Sequence, residues 1–267
     1  MREKSILRDE FYQLGKIESC SVCDLHGHMG PIAGIHLPYC EADDMAEHLR
    51  KRGVKRLVFS HHGALMSPDI GNQASRLAVE KYPDLFRAYL GFNPHYPEVF
   101  EEEIKTWTRE VFAGLKFLSD YHLVKLSDDR YRPAWEFAHS MKLPVLIHTW
   151  GGSSFDGPEQ IRLVARNYSS AWILLGHSCH GDWPQAISLV KEFPNVYLEL
   201  CAVLDERGIL EKIVEEIGAD RIIFGTDFPW FSYSYYLGAL LDAEIGDQAR
   251  RKILSENALR VIPFLLP

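Results

Sequence analysis

Val22-Cys23-Asp24-Leu25-His26-Gly27-His28 is the stretch on which the fold and the chemistry of this chain turn. Its first half reads as a buried strand, and its end carries two imidazoles separated by a single residue. Side chains on a strand alternate between faces, so His26 and His28 point the same way. Asp24 shares that face in this register and could orient one of the rings. Two neutral imidazoles converging on one point supply half of a divalent-metal site. The same triplet also occurs in plain turns, so a site requires further ligands at the ends of other strands.

Outward from this stretch the chain repeats one grammar: a short apolar run ending in a polar residue, a loop, then an amphipathic helix. The first run covers residues 21–26. Others follow at 56–60, 86–92, 113–117, 144–148, 172–177, 196–200 and 221–227. Helical patterns fall at 43–53, 72–81, 98–109, 133–141, from 158, at 184–193, 206–217 and 247–261. Residues 5–16 have patchy helical periodicity and suit a short lid. The loop 29–41 holds Gly30, Pro31, Gly34 and Pro38 and is too rich in breakers to be helical. Eight strands alternating with helices predict a parallel sheet buried on both faces. An open doubly-wound sheet uses the same pattern. Eight repeats within 267 residues favour closure into a (β/α)8 TIM barrel, a single domain over residues 1–267.

Composition excludes several functions. With 46% hydrophobic and 25% charged residues the chain is an ordinary globular sequence. A formal charge of -8 without a long basic run argues against nucleic-acid binding, which needs clustered Lys and Arg. No apolar run approaches the roughly 20 residues that span a bilayer. The opening residues 1–5 carry mixed charge and lead into no signal-peptide core, so the expected location is the cytoplasm. Five scattered cysteines do not make a disulfide framework. Cys20 and Cys23 form a lone C-x-x-C without a second pair, with Cys23 inside the first strand, and are read as structural.

In parallel barrels the chemistry sits at the C-terminal ends of the strands. Those ends carry His26 and His28, His61 and His62, His95, Lys116, His148, His177, Glu199 and Asp227. Three His and one Asp suit Zn²⁺, with Mn²⁺, Fe²⁺ or Co²⁺ able to substitute. Such an ion brings the pKa of bound water from about 16 towards about 7. Asp227 is then placed to touch the metal and take a proton, and His177 to hold the water or a developing oxyanion.

These residues resemble the amidohydrolase superfamily. The resemblance lies in Asp24-Leu25-His26-Gly27-His28, in the strand-end His148 and His177, and in Gly225-Thr226-Asp227-Phe228-Pro229. Segments 114–116, 144–149, 195–199 and 253–258 extend it towards the amidohydrolase-related branch. That branch includes metal-dependent hydrolases and decarboxylases of the aminocarboxymuconate-semialdehyde type. The resemblance implies a distorted barrel with a metal at its mouth. It places His26, His28, His148 and Asp227 at the ligand positions of mononuclear members. His177 matches a residue that is an acid/base in some members and a second-metal ligand in others. Lys116 stands where dinuclear relatives carry a carbamylated lysine, although this branch often keeps that lysine unmodified. Some related lactonases work without metal.

Lys116, His61, Trp150 and Trp230 are the expected substrate-binding residues, with Phe231 and Tyr233 as further pocket walls. His62, His95 and His122 have weaker claims, as does His36, a lid residue. Arg207 could pair with a substrate carboxylate or simply open a helix. Cys179 and Cys201 read as small buried residues. The expected function is metal-dependent hydrolysis of a small carbonyl compound: an amide, ester or lactone. The alternative is a non-oxidative decarboxylase on the same ligands. A non-catalytic binding barrel is third. The partner is a small molecule, and barrels of this type often form homo-oligomers.

Overall fold

The computed structural model describes residues 4–266; residues 1–3, part of the mixed-charge opening segment, and Pro267 lie outside the described residues. Eight strands form one sheet in chain order: β1 Val22–Met29, β2 Val54–His61, β3 Phe86–Gly91, β4 Phe112–Phe117, β5 Pro144–Trp150, β6 Trp172–His180, β7 Val196–Glu199 and β8 Ile222–Ile223. Every neighbouring pair is parallel. The ring is closed by the segment after β8. The Leu25 N–H donates to Phe224 O at 3.0 Å and the His28 N–H to Phe228 O at 2.8 Å. This is the (β/α)8 barrel that the eight repeats predict.

Alternation along the strands divides the apolar residues into two cores. Leu25, Val58, Tyr89, Ala113, Leu146, Leu174, Tyr197 and Ile223, one from each strand, pack together inside the barrel. Val261, Ile262 and Leu265 from the C-terminal segment join them and close the bottom. The opposite strand faces pack on the surrounding helices. Helix Pro158–Asn167 shows how those helices form. Proline occupies its first turn, where no N–H is needed, and Ile161, Val164 and Ala165 bury one stripe.

Several elements differ from the periodicity. Residues 62–66 and 119–122 form short helices, His62–Met66 and Ser119–His122, where the sequence suggests loop. Helix Tyr233–Asp242 is absent from the sequence reading; Tyr233, Tyr236, Leu237, Leu240 and Leu241 bury one stripe, which the exposed Tyr235 blurs in the sequence. The pattern at 206–217 becomes helical only at Ile209, because Gly208 takes φ 87 and ends the preceding turn. The closing helix is three pieces: Asp247–Arg251, a π-helical Lys252–Glu256, and Asn257–Val261.

Three register shifts shape the barrel mouth. On β1, Asp24 pairs with Leu57 but Gly27 with Phe59, so three steps oppose two. This bulge lets Leu25 and both histidines, His26 and His28, face inward. On β4, Phe112 and Gly114 oppose consecutive β3 residues, which turns both Ala113 and Lys116 inward. On β6, His148 pairs with Gly176 but Trp150 with His180. The two extra residues lie in a left-handed turn at His177, Ser178 and Cys179, with φ 65, 51 and 53.

Candidate active site

The three shifts bring side chains from six strand ends to one place. His26 Nε2 lies 3.3 Å and His28 Nε2 2.9 Å from Oδ1 of Asp227. That oxygen is buried and has no aligned hydrogen bond. Asp227 itself has φ 57, a conformation an aspartate adopts only when its surroundings hold it there. Its N–H donates to His26 O at 2.7 Å. Burial works to raise the Asp227 carboxyl, but His26, His28 and His177 hold it well below the usual aspartate range. Burial in turn keeps His26 well below, and His28 below, the ordinary imidazole value.

Glu199 organises this cluster from behind. Its Oε2 lies 2.8 Å from Nδ1 of His26 and accepts the His177 N–H at 3.1 Å. Its Oε1 accepts the Cys201 N–H at 2.6 Å. Burial pushes its carboxyl up to about 8, although the Cys201 and His177 N–H groups oppose the rise. The sequence shows Glu199 as a strand-end residue but gives it no role. Asp24, by contrast, does not orient a ring. The β1 bulge reverses its parity, so it accepts the His26 N–H at 2.9 Å and the Thr226 hydroxyl at 2.5 Å.

The left-handed turn that carries His177 is held at each step. The Ser178 hydroxyl donates to Glu199 O at 2.7 Å, and the Cys179 N–H donates to Thr149 Oγ1 at 2.9 Å. His177 thereby stands 5.1 Å from the His26 ring and 4.8 Å from the His148 ring, centroid to centroid. Strained backbone beneath both His177 and Asp227 is the pattern of a functional site. Lys116 is fully buried, with Nζ 3.1 Å from His26 Nε2, and burial brings its ammonium down to about 8.

A pocket of about 200 Å³ opens onto these groups. His28, Lys116, His148, His177 and Asp227 line it, with Ile32, Leu65, Leu118, Tyr121, Trp150, Trp230 and Phe231 as apolar and aromatic walls. Trp150 stacks on His177 at 5.3 Å and 7°. Trp150, Trp230, Lys116 and His148 all line this one pocket.

His61 is not part of that lining. Its Nδ1 accepts the Gly63 N–H at 3.0 Å and caps the helix that follows. Its neighbour His62, on the inward parity, lines the pocket instead. The His62 Nδ1–H donates to Gly30 O at 2.7 Å, and its Nε2 accepts the Trp230 indole N–H at 3.0 Å. Its ring stacks on His28 at 4.9 Å. Burial, with His28 alongside, lowers its imidazole to about 4. Tyr233 also falls outside the pocket: it is fully buried and packs on Phe224. His95 and His122 spend ring nitrogens on His122 O and Leu65 O and tie loops together. His36 and Arg207 are exposed and off the pocket lining, and Cys179 and Cys201 are fully buried.

The donor set fits a divalent cation. Two imidazole Nε2 atoms approach a single carboxylate oxygen that has no aligned hydrogen bond, which is how lone pairs gather around a shared ion. His26, His177 and Asp227 also place one ligand atom each within 4.8 Å of one another. A parallel barrel with such a cluster at its strand ends has the architecture of metal-dependent barrel enzymes.

The Amidohydrolase family model, of the amidohydrolase-2 type, matches residues 23–264, and the chain belongs to that family. A curated relative, the gamma-resorcylate decarboxylase of Polaromonas sp. (strain JS666), is 23% identical over 271 residues, covering 78% of this chain and 83% of the relative. The fold is shared with a dihydroxybenzoic acid decarboxylase from Polaromonas sp. JS666, solved with manganese and 2-nitroresorcinol. That match has TM-score 0.72 and 17% identity, over 92% of this chain and 97% of the other. It is shared too with the 5-carboxyvanillate decarboxylase of Novosphingobium aromaticivorans, solved with manganese and a nitrobenzoic acid, at TM-score 0.74 and 14% identity over 91% and 96% of the two chains.

Proposed function

We propose that this chain is a metal-dependent non-oxidative decarboxylase of a small aromatic or enoic acid. His26, His28, His148 and Asp227 would hold one divalent ion. Hydrolysis of an amide, ester or lactone, the first expectation from the sequence, uses the same ligands, but the relatives described above act as decarboxylases. The observation that carries the reading is the convergence of His26 and His28 on Oδ1 of Asp227, beneath an aromatic pocket. Two of those relatives' structures hold manganese, so Mn²⁺ is proposed in preference to Zn²⁺.

Decarboxylation replaces a carboxylate on carbon by hydrogen. A proton adds to the carbon, the C–C bond breaks, and its electron pair stays with the ring as CO₂ leaves. A bound divalent ion supplies a Lewis acid that orients and polarises substrate oxygens. The chain's own groups do the rest. Trp150, Trp230 and Phe231 hold a flat ring and exclude water. Lys116 sets positive charge at the pocket floor. Asp227, with His177 beside it, takes a proton from solvent and passes it to the substrate carbon.

The test is product analysis. Mn²⁺-loaded protein is incubated with ortho-hydroxybenzoic acids and, separately, with esters and lactones. CO₂ release, with deuterium at the vacated ring carbon in D₂O, supports the proposal. Hydrolysis products without CO₂ return the chain to the hydrolase reading.

A further inference from the structure

Beside the ligands that meet at Asp227, a second cluster holds buried polar atoms without partners among the described residues. Asp120 follows β4 and Asp156 follows β5. Their carboxylates approach His148 Nδ1, Asp120 Oδ2 at 3.3 Å and Asp156 Oδ2 at 4.0 Å. Asp156 has no solvent exposure, and neither of its oxygens has a hydrogen-bond partner. Oδ1 of Asp120 and Nδ1 of His148 are likewise unpartnered. A carboxylate stranded in this way is strongly unfavourable unless it serves a neighbour.

We propose that Asp120 and Asp156 are the positioning residues of His148. An imidazole can ligate through one nitrogen only when its proton sits on the other. Two acceptor-only groups at the Nδ1 end draw the proton there and leave the Nε2 lone pair for the metal. The rest of the ring is fenced by the edges and faces of His177, Trp150 and Tyr121 at 4.8, 5.4 and 5.7 Å. The ring keeps one direction, and that direction is set by loops after two different strands. This assignment rests on the metal reading above.

Asp120→Asn and Asp156→Asn keep the size of each group but can turn an amide donor towards the imidazole. Each is expected to weaken Mn²⁺ binding by about 10–100-fold in chelator competition. Nitrogen-15 NMR of the metal-free variants is expected to show His148 leaving the Nδ1–H tautomer. In a His148→Ala background the same substitutions should leave the affinity nearly unchanged. Unchanged Mn²⁺ affinity and unchanged His148 shifts would overturn the assignment. Equal losses in the His148→Ala background would do so too. Uptake of two Mn²⁺ per chain, with the second lost in Asp156→Asn, would replace it with a separate cation site. If Asp156→Asn does not fold, Asp120→Asn, at a part-exposed position, carries the test. A parent chain that takes up no divalent metal ends the metal reading and this role together. A parent that binds while both variants match it ends this role alone.

Discussion

Nδ1 of His26 and Oε2 of Glu199 lie 2.8 Å apart, and neither side chain has any solvent exposure. The contact fixes which His26 nitrogen faces Asp227. The same oxygen holds the backbone of His177, so one side chain sets the positions of a proposed metal ligand and of an acid/base candidate.

Glu199→Gln keeps the shape but can turn an amide donor towards Nδ1 of His26. It is expected to weaken metal binding by about 10–100-fold, read by chelator competition. Glu199→Ala also strands the N–H groups of His177 and Cys201, a loss of about 1–3 kcal/mol for each, read by denaturant unfolding. Metal affinity unchanged in Glu199→Gln would show that the contact orients nothing.

Asp227→Asn is expected to fold normally, because asparagine tolerates the left-handed backbone at φ 57. Turnover should fall by about 10²–10⁴ if Asp227 carries the proton. Near-normal turnover, with thermal unfolding unchanged, would remove Asp227 from the chemistry.

His62→Phe keeps the stack on His28 but cuts both ties, to Gly30 and to Trp230. The Trp230 wall is then free to shift. A raised KM with a smaller change in kcat is the expected result, and equal KM values for variant and parent would contradict it.

Much of this was legible in the sequence because it depends on period. Apolar runs and helical stripes give the barrel, and His26, His28, His148, His177 and Asp227 are legible as the polar residues at which apolar runs stop. What was not legible depends on broken alternation. One extra residue in β1 turns Asp24 away from the rings. His62 faces the pocket where His61 was expected, a choice made by a single step of parity at the end of β2. The pairing of Glu199 with His26 spans 173 positions, and no local pattern encodes it.

A pH effect follows from a carboxylate outside the pocket lining. Asp247 accepts the Ser5 hydroxyl at 2.5 Å, the Ile6 N–H at 2.8 Å and Arg250 at 2.8 Å, which docks helix Ile6–Leu14. Burial works to raise this carboxyl, but these donors hold it below the ordinary aspartate value. A depressed folded-state pKa stabilises above the unfolded value of about 3.9, and that contribution is lost as pH falls through the folded value. Asp247→Asn should therefore lower stability by about 1–2 kcal/mol at neutral pH, with the gap from the parent closing below about pH 4. A gap independent of pH would refute this.

The metal site is tested most directly by anomalous diffraction from crystals of the Mn²⁺-loaded protein. The account predicts one peak, at about 2.0–2.3 Å from Nε2 of His26, Nε2 of His28, a nitrogen of His148 and Oδ1 of Asp227. A peak elsewhere, or none at saturating Mn²⁺, would contradict it.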